Sequence, residues 1–430
     1  MNSRSSKRIL ALVGPGLLVA ATGVGAGDLA TAAFTGSRLG VAVLWGVLAG
    51  AFLKFVVNEG IARWQLATGT TFLEGVVRHI GRASAWFLLA YLVFWTFFVS
   101  AALMSACGAA THAIIPAFDD ATRAKTVFGI AHSALGVILV VLGGYRLFER
   151  VMAVSIGVMF FTVVLTAVLI EPDWAAIARG LVVPAAETVS GPGLSWTVAL
   201  VGGVGGTVTI LCYGYWIREE GRDDASALRD CRLDLGVGYV VTALFGIAMV
   251  IIGSRVSAEG QGATLIVRLA VVLEESVGST LKWLFLAGAW GAVASSLLGV
   301  WQAVPYLFAD LWSLLRAPAS RRGESAPPNS ARRPPIDTRS APYRIYLIAL
   351  ATIPALWIGT DFRTVQKTYA VVGACFLPLA ALALLILLGG RRFVPARFRN
   401  HPVTSILLLA AIALFGVYAW LDLHALLGPS

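Results

Sequence analysis

Apolar runs of eighteen residues or more recur along the 430-residue chain, separated by short segments that collect the charged side chains. A run of that length crosses a hydrocarbon core of about 30 Å as a helix. The pattern predicts about eleven spans, at approximately 9–35, 40–65, 85–115, 127–143, 150–170, 194–217, 235–255, 281–313, 343–359, 367–389 and 403–424. The expected fold class is therefore an all-α polytopic membrane protein. Several spans are longer than a crossing requires and are expected to tilt or kink. The fourth and ninth are short.

Composition supports this reading. Hydrophobic residues make up 58% and charged residues 13%, with a mean hydropathy of +0.81. A soluble domain carries about 25% charged residues, so much of this surface must face something other than water. The net charge of +10 does not point to nucleic acid, because the basic residues sit in short loops rather than along one stripe. With the N-terminus placed in the cytoplasm, most of them fall inside, among them Arg78, Arg82, Arg146, Arg150, Arg218, Arg222, Arg391 and Arg392. That bias predicts a protein of the plasma (inner) membrane with its C-terminus outside. Arg4, Lys7 and Arg8 precede an apolar segment that continues as a span, so no cleavable signal is expected. Cys107, Cys212, Cys231 and Cys375 show no metal-finger spacing. Residues 317–342 are rich in Pro, Ser and Arg and are expected to form a disordered cytoplasmic linker.

A repetition organises the rest. GPGL occurs at Gly14–Leu17 and again at Gly191–Leu194, each copy opening an apolar span. Each is followed by a glycine cluster, Gly23, Gly25 and Gly27 in span 1 and Gly202, Gly203, Gly205 and Gly206 in span 6. Five spans separate the copies, so the second enters the membrane from the opposite side. This predicts an inverted repeat, residues 1–171 (spans 1–5) against 190–390 (spans 6–10), with span 11 in 391–430. Each glycine inside a helix costs about 1 kcal/mol relative to alanine, so the clusters should interrupt both spans. Gly23, Gly27, Gly203, Gly205 and Gly206 are the expected backbone of these breaks. The competing reading is close helix packing through small residues.

Chemistry concentrates near the breaks. Asp28 follows the first cluster, and an intramembrane carboxylate suits a cation ligand, a proton-coupling group or a partner for a substrate amine. A cap on the following half-helix is the plainer role. On span 2, Lys54 and Asn58 are one turn apart, as are Glu59 and Arg63. Lys54 and Glu59 are candidates for gating or proton transfer, although Glu59–Arg63 also reads as a structural pair and Lys54 could snorkel. Span 6 offers Thr209 and Cys212, the latter a soft donor near its break. Gln366 is a neutral polar candidate in span 10, and His132 is the histidine best placed for a proton relay. The glycine runs lack the GK[ST] of a phosphate loop, and no GxSxG elbow occurs, so an enzyme is not expected and no resident cofactor is implied.

The stretch GPGLLVAATGVGAGDLATAAFTGSRLGVAVLW, Gly14 to Trp45, resembles the first span and following turn of the Nramp (natural resistance-associated macrophage protein) divalent metal transporters. Similarity continues to Thr68–Gly69, with fainter echoes as far as Leu377–Pro378. The resemblance implies a leucine-transporter-like 5+5 inverted repeat with discontinuous helices 1 and 6, and a cytoplasmic N-terminus. It implies transport of divalent cations of the Mn, Fe or Mg class by alternating access. The family's DPGN signature falls on Gly25-Ala26-Gly27-Asp28, so Gly25 replaces its liganding Asp and Asp28 its Asn. Its MPH signature falls near Thr209-Ile210-Leu211, so Thr209 replaces the Met sulfur and Leu211 the His. The resemblance therefore implies a non-standard site centred on Asp28, with the lipid bilayer and a small cation as partners. A small organic solute such as an amino acid is the alternative cargo, and a membrane-embedded sensor is the reading outside transport.

Overall fold

The computed structural model describes residues 14–255, 264–316, 336–358, 372–373 and 375–427, and every regular element among them is a helix. Span 1 is two half-helices, Gly14–Gly23 and Leu29–Leu39, joined by the wider turn Val24–Asp28. Gly25, at φ −67° and ψ −130°, leaves helical geometry there. Span 6 is divided in the same way. Gly191–Gly203 is helical, Val208–Cys212 forms a 3₁₀ turn, and Tyr213–Glu219 resumes the helix. Gly205 and Gly206 between them have φ of +82° and +83°, a left-handed conformation that side chains with a Cβ resist.

Span 2 is the helix Leu44–Thr68 and span 3 is Arg82–Ile114. The fourth and fifth spans are run together by hydrogen bonding as Ala121–Leu169, but Gly144, at φ +63° and ψ −179°, divides them. Span 7 is Leu228–Gly253, and span 8 is the long helix Ser279–Arg316 with Pro305 inside it. Span 9 runs through Ala341–Thr352 into the 3₁₀ turn Ile353–Trp357. The described part of span 10 is Phe376–Gly389, and span 11 is Pro402–Leu427. Among the described residues three further α-helices lie between spans: Phe72–His79, Trp174–Val182 and Thr264–Val277. Most of the expected linker, residues 317–335, lies outside the described residues, as do Gln366 and the start of span 10.

Small residues do pack helices closely, at positions other than the breaks. Both halves of span 1 lie against span 7. A Cβ on Gly16 would stand 2.2 Å from the Asp234 carbonyl oxygen, and one on Gly238 2.3 Å from that of Gly16. Further along, Gly36 meets the Val250 carbonyl and Gly253 that of Ala33, each at 2.3 Å. Such approach replaces the hydrophobic drive that lipid cannot supply between helices. Asp234, fully buried, fastens the end of this seam. Its Oδ1 accepts from Gly16 N–H at 2.8 Å, and its Oδ2 accepts from Tyr213 OH and Arg222 Nη1 at 3.0 and 3.1 Å.

Gly16→Ala should therefore lower the stability of the detergent-purified protein by roughly 1–3 kcal/mol, as overpacking does. Gly157→Ala is the control, because a Cβ there meets nothing within 4 Å. Thermal unfolding of the two variants against wild type measures the difference, and equal melting temperatures would refute the close-packed seam.

Candidate functional site

The breaks of spans 1 and 6 meet face to face. A Cβ on Gly23 would stand 2.7 Å from Gly206 N, so the glycine there is what lets the two backbones touch. Span 8 packs against the span 1 break, with Ser296 Oγ donating to the Ala21 carbonyl at 2.8 Å. Span 7 closes the other side, its Tyr239 ring lying against Gly205.

Asp28 sits where these elements converge and is completely buried. It begins the half-helix Leu29–Leu39 but makes no capping hydrogen bond to it. Its Oδ2 instead accepts from Gly205 N–H, across the junction in span 6, at 2.9 Å. The simple capping role is thus replaced by a link between the two breaks. Its Oδ1 is buried without a hydrogen-bond partner. Two more buried oxygens beside the break are also unpartnered, Asn58 Oδ1 and Thr207 Oγ1. Asn58 Nδ2 donates to Tyr239 OH at 3.3 Å, which turns its amide toward the same wall.

Lys54 does not snorkel. Its side chain is 1% exposed, and Nζ donates to the carbonyls of Gly202 at 2.7 Å, Val204 at 2.8 Å and Gly206. The ammonium and the Asp28 carboxylate are near enough to attract one another. They reach the same loop, Asp28 through an N–H and Lys54 through carbonyls.

Gly25 lies flat against span 8. A Cβ there would fall 2.2 Å from both Cβ and Oγ of Ser296. The place where the resemblance puts a liganding Asp is thus taken by the Ser296 side chain. Thr209 and Cys212 are buried within the 3₁₀ turn of span 6, and among the described residues no hydrogen bond joins either to Asp28. Gly203 ends the first half of span 6, so its break begins at Val204. Among the described residues no three His, Cys, Asp or Glu side chains are grouped to hold a metal ion.

Two sequence candidates stand apart from this junction. Glu59 pairs with Arg63 at 3.1 Å and with Arg232 of span 7 at 2.8 Å. Arg63 also donates to the Arg399 carbonyl and to Asn400 Oδ1, at 2.7 and 3.0 Å. These residues line a cavity of about 560 Å³ between span 2 and the segment leading into span 11. His132 faces the Phe128 carbonyl through Nδ1 at 2.8 Å and receives Trp290 Nε1–H at Nε2, at 3.0 Å. A carbonyl only accepts, so Nδ1 carries the proton and both ring nitrogens are engaged away from Asp28. Conversely, Tyr239 and Ser296 shape the site without any signal in sequence spacing. Asn58 had one, its position a turn after Lys54.

A family model for natural resistance-associated macrophage protein-like proteins matches residues 16–423. The chain belongs to the Nramp family. Its long apolar helices make it, as a family member, an integral membrane protein. It is 28% identical over 282 residues to the divalent metal cation transporter MntH 1 of Pseudomonas aeruginosa, covering 61% of this chain and 60% of that protein. It is 26% identical over 255 residues to the uncharacterized protein PM0681 of Pasteurella multocida, covering 57% and 56%. The matched region thus spans less than two thirds of either relative. In structure, this Nramp chain resembles a mutant of the Eremococcus coleocola manganese transporter, with a TM-score of 0.77 at 17% identity, covering 100% of this chain and 90% of that one. It also resembles MhsT in complex with L-phenylalanine, with a TM-score of 0.59 at 14% identity, covering 94% and 98%. These likenesses establish the leucine-transporter-like fold.

Gly25→Asp alone should not restore the family's usual ligand. Overpacking against Ser296 should cost roughly 1–3 kcal/mol. Adding Ser296→Gly should return part of that loss, because the two positions are in contact and their effects are not additive. Thermal unfolding of both single variants and the double variant measures the coupling; strict additivity would show that Ser296 does not close this position.

Proposed function

We propose that this protein carries divalent cations of the Mn, Fe or Mg class across the inner membrane by alternating access, with Asp28 as the charged ligand. The observation that carries the reading is the Asp28 carboxylate, fully buried where two helix breaks meet, with one oxygen paired to Gly205 and the other unpartnered. An intramembrane carboxylate with a free oxygen is costly to keep unless it serves a ligand or a proton. Asn58 Oδ1 and Thr207 Oγ1 are neutral oxygens of the same region able to join it. Family membership supports the reading, as do the relatives described as divalent metal cation and manganese transporters.

The donor set favours hard cations. With Thr209 and Leu211 where the family pattern has Met and His, the site offers oxygen alone, which suits a cation that keeps part of its water. In this reading residues 1–171 and 190–390 are the two halves that rock about the junction, with span 11 outside the cycle. The N-terminus is cytoplasmic and the C-terminus outside, and Glu59 with Arg63 and Arg232 forms a gate that opens when span 7 moves. One observation favours an organic cargo instead. Lys54 balances the charge of Asp28, and a neutral junction accepts a small zwitterionic or aminated solute more readily than a bare divalent ion.

Uptake into proteoliposomes decides between them. Wild type should carry Mn²⁺ or Mg²⁺, and both Asp28→Ala and Asp28→Asn should abolish flux, a loss of at least about tenfold for each 1.4 kcal/mol of binding removed. Asp28→Asn keeps an acceptor for Gly205 N–H, so its fold should survive, as size-exclusion and melting profiles would show. Absence of flux for Mn²⁺, Fe²⁺ and Mg²⁺ in wild type, or unchanged flux in Asp28→Asn, would overturn the metal reading. Thermal stabilisation by amino acids but not by cations would establish the organic one.

A further inference from the structure

Lys54 is the buried charge that cation transport leaves unexplained. A lysine at this depth would ordinarily extend toward the membrane surface, or pair with the nearest carboxylate. It does neither. Its three ammonium protons meet three backbone carbonyls, those of Gly202, Val204 and Gly206, all from one short stretch of span 6. An ammonium has three donors and no acceptor, so this set satisfies it completely.

The convergence of these oxygens follows from the backbone. In an unbroken helix all carbonyls point along the axis toward N–H groups four residues on. Here Val204 takes φ −56° and ψ +126°, and Gly205 and Gly206 follow in the left-handed region. The peptide planes are thereby turned so that alternate oxygens, those of residues 202, 204 and 206, face one point. A cluster of carbonyl oxygens in place of a hydration shell is how proteins hold monovalent cations. Around the ammonium the charged neighbour is Asp28 of span 1; from span 7 the titratable group nearest the junction is Tyr239, and span 6 itself presents only carbonyls.

We propose that the carbonyls of Gly202, Val204 and Gly206 form a monovalent-cation cage, and that Lys54 fills it with a cation tethered to span 2. A dissolved ion of ammonium or alkali type is the ligand that such a cage would otherwise take. Holding the cage with a side chain ties span 2 to the span 6 break and makes the junction's shape independent of sodium or potassium. The inference goes beyond the choice of cargo, since it concerns what holds the break and not what crosses it.

The test uses purified full-length protein in sodium, potassium, ammonium or choline chloride at equal ionic strength. Wild type should melt at the same temperature in all four salts. Lys54→Ala, which empties the cage, should melt several degrees lower in choline and regain part of that loss saturably in sodium, potassium or ammonium. Lys54→Met, which keeps the length of the stem but not the charge, should melt lower without ion-specific recovery, because its methyl end occupies the cage. Wild-type stability that depends on the salt would overturn the proposal. So would a Lys54→Ala protein with no preference for a small cation over choline, and failure of that variant to fold in any of the salts counts as the same result. These readouts require no flux, so their failure is distinct from failure of the transport reading.

Discussion

Everything at the centre of this protein depends on satisfying the backbone groups released where span 6 breaks. Hydrocarbon offers them no water, so irregular backbone persists inside a membrane only where protein or a lined cavity provides partners. Lys54 supplies the donors that three freed carbonyls need, and Asp28 supplies the acceptor that Gly205 N–H needs. The same contacts solve the opposite problem of burying two charges. The break and the two charged side chains are therefore mutually stabilising, the side chains pairing freed backbone groups and the break giving each charge a partner.

That dependence explains how much of the site was legible in sequence. Paired glycine clusters after paired GPGL motifs identify the two broken spans, because a helix interrupted at matching places needs glycine at both. Gly205 and Gly206 repay the inference with left-handed backbone, and Gly23 with direct contact to the opposite break. Gly16 and Gly36 show that the alternative of close packing is also real, but on the seam with span 7. Asp28 stood out as a carboxylate between apolar runs. Its partner could not be foreseen, since a hydrogen bond to a residue 177 positions away leaves no trace in local spacing. Glu59–Arg63 was legible as a pair one turn apart, whereas Arg232, which completes it, arrives from span 7 by tertiary packing. Ser296 was illegible for the same reason, although it decides that position 25 has no room for a side chain.

The substitutions at positions 25 and 28 then read as one rearrangement rather than two losses. With Ser296 packed on Gly25, a carboxylate at the front of the break is excluded, and the acidic group appears three residues later. There it faces span 6 and pairs with a backbone amide, which a neutral side chain would do less strongly. The shift moves negative charge toward the loop that Lys54 also grips.

Charge balance sets the character of whatever binds. Charges interact more strongly at the low effective dielectric of a buried site than in water, attracting when unlike and repelling when alike. A divalent ion drawn to Asp28 is thus opposed by Lys54, and a single carboxylate with neutral oxygens cannot strip a strongly hydrated ion completely. For the cation transport proposed above, the favoured ion would be one held loosely, with water retained and with no demand for sulfur or imidazole. Loose binding is what a carrier needs, because a site that held its ion as tightly as a structural metal centre would load once and never release. In the transport reading proposed above, the ammonium that holds the span 6 break would also temper the pull of Asp28 on a cation, so that one side chain shapes the junction and limits its affinity.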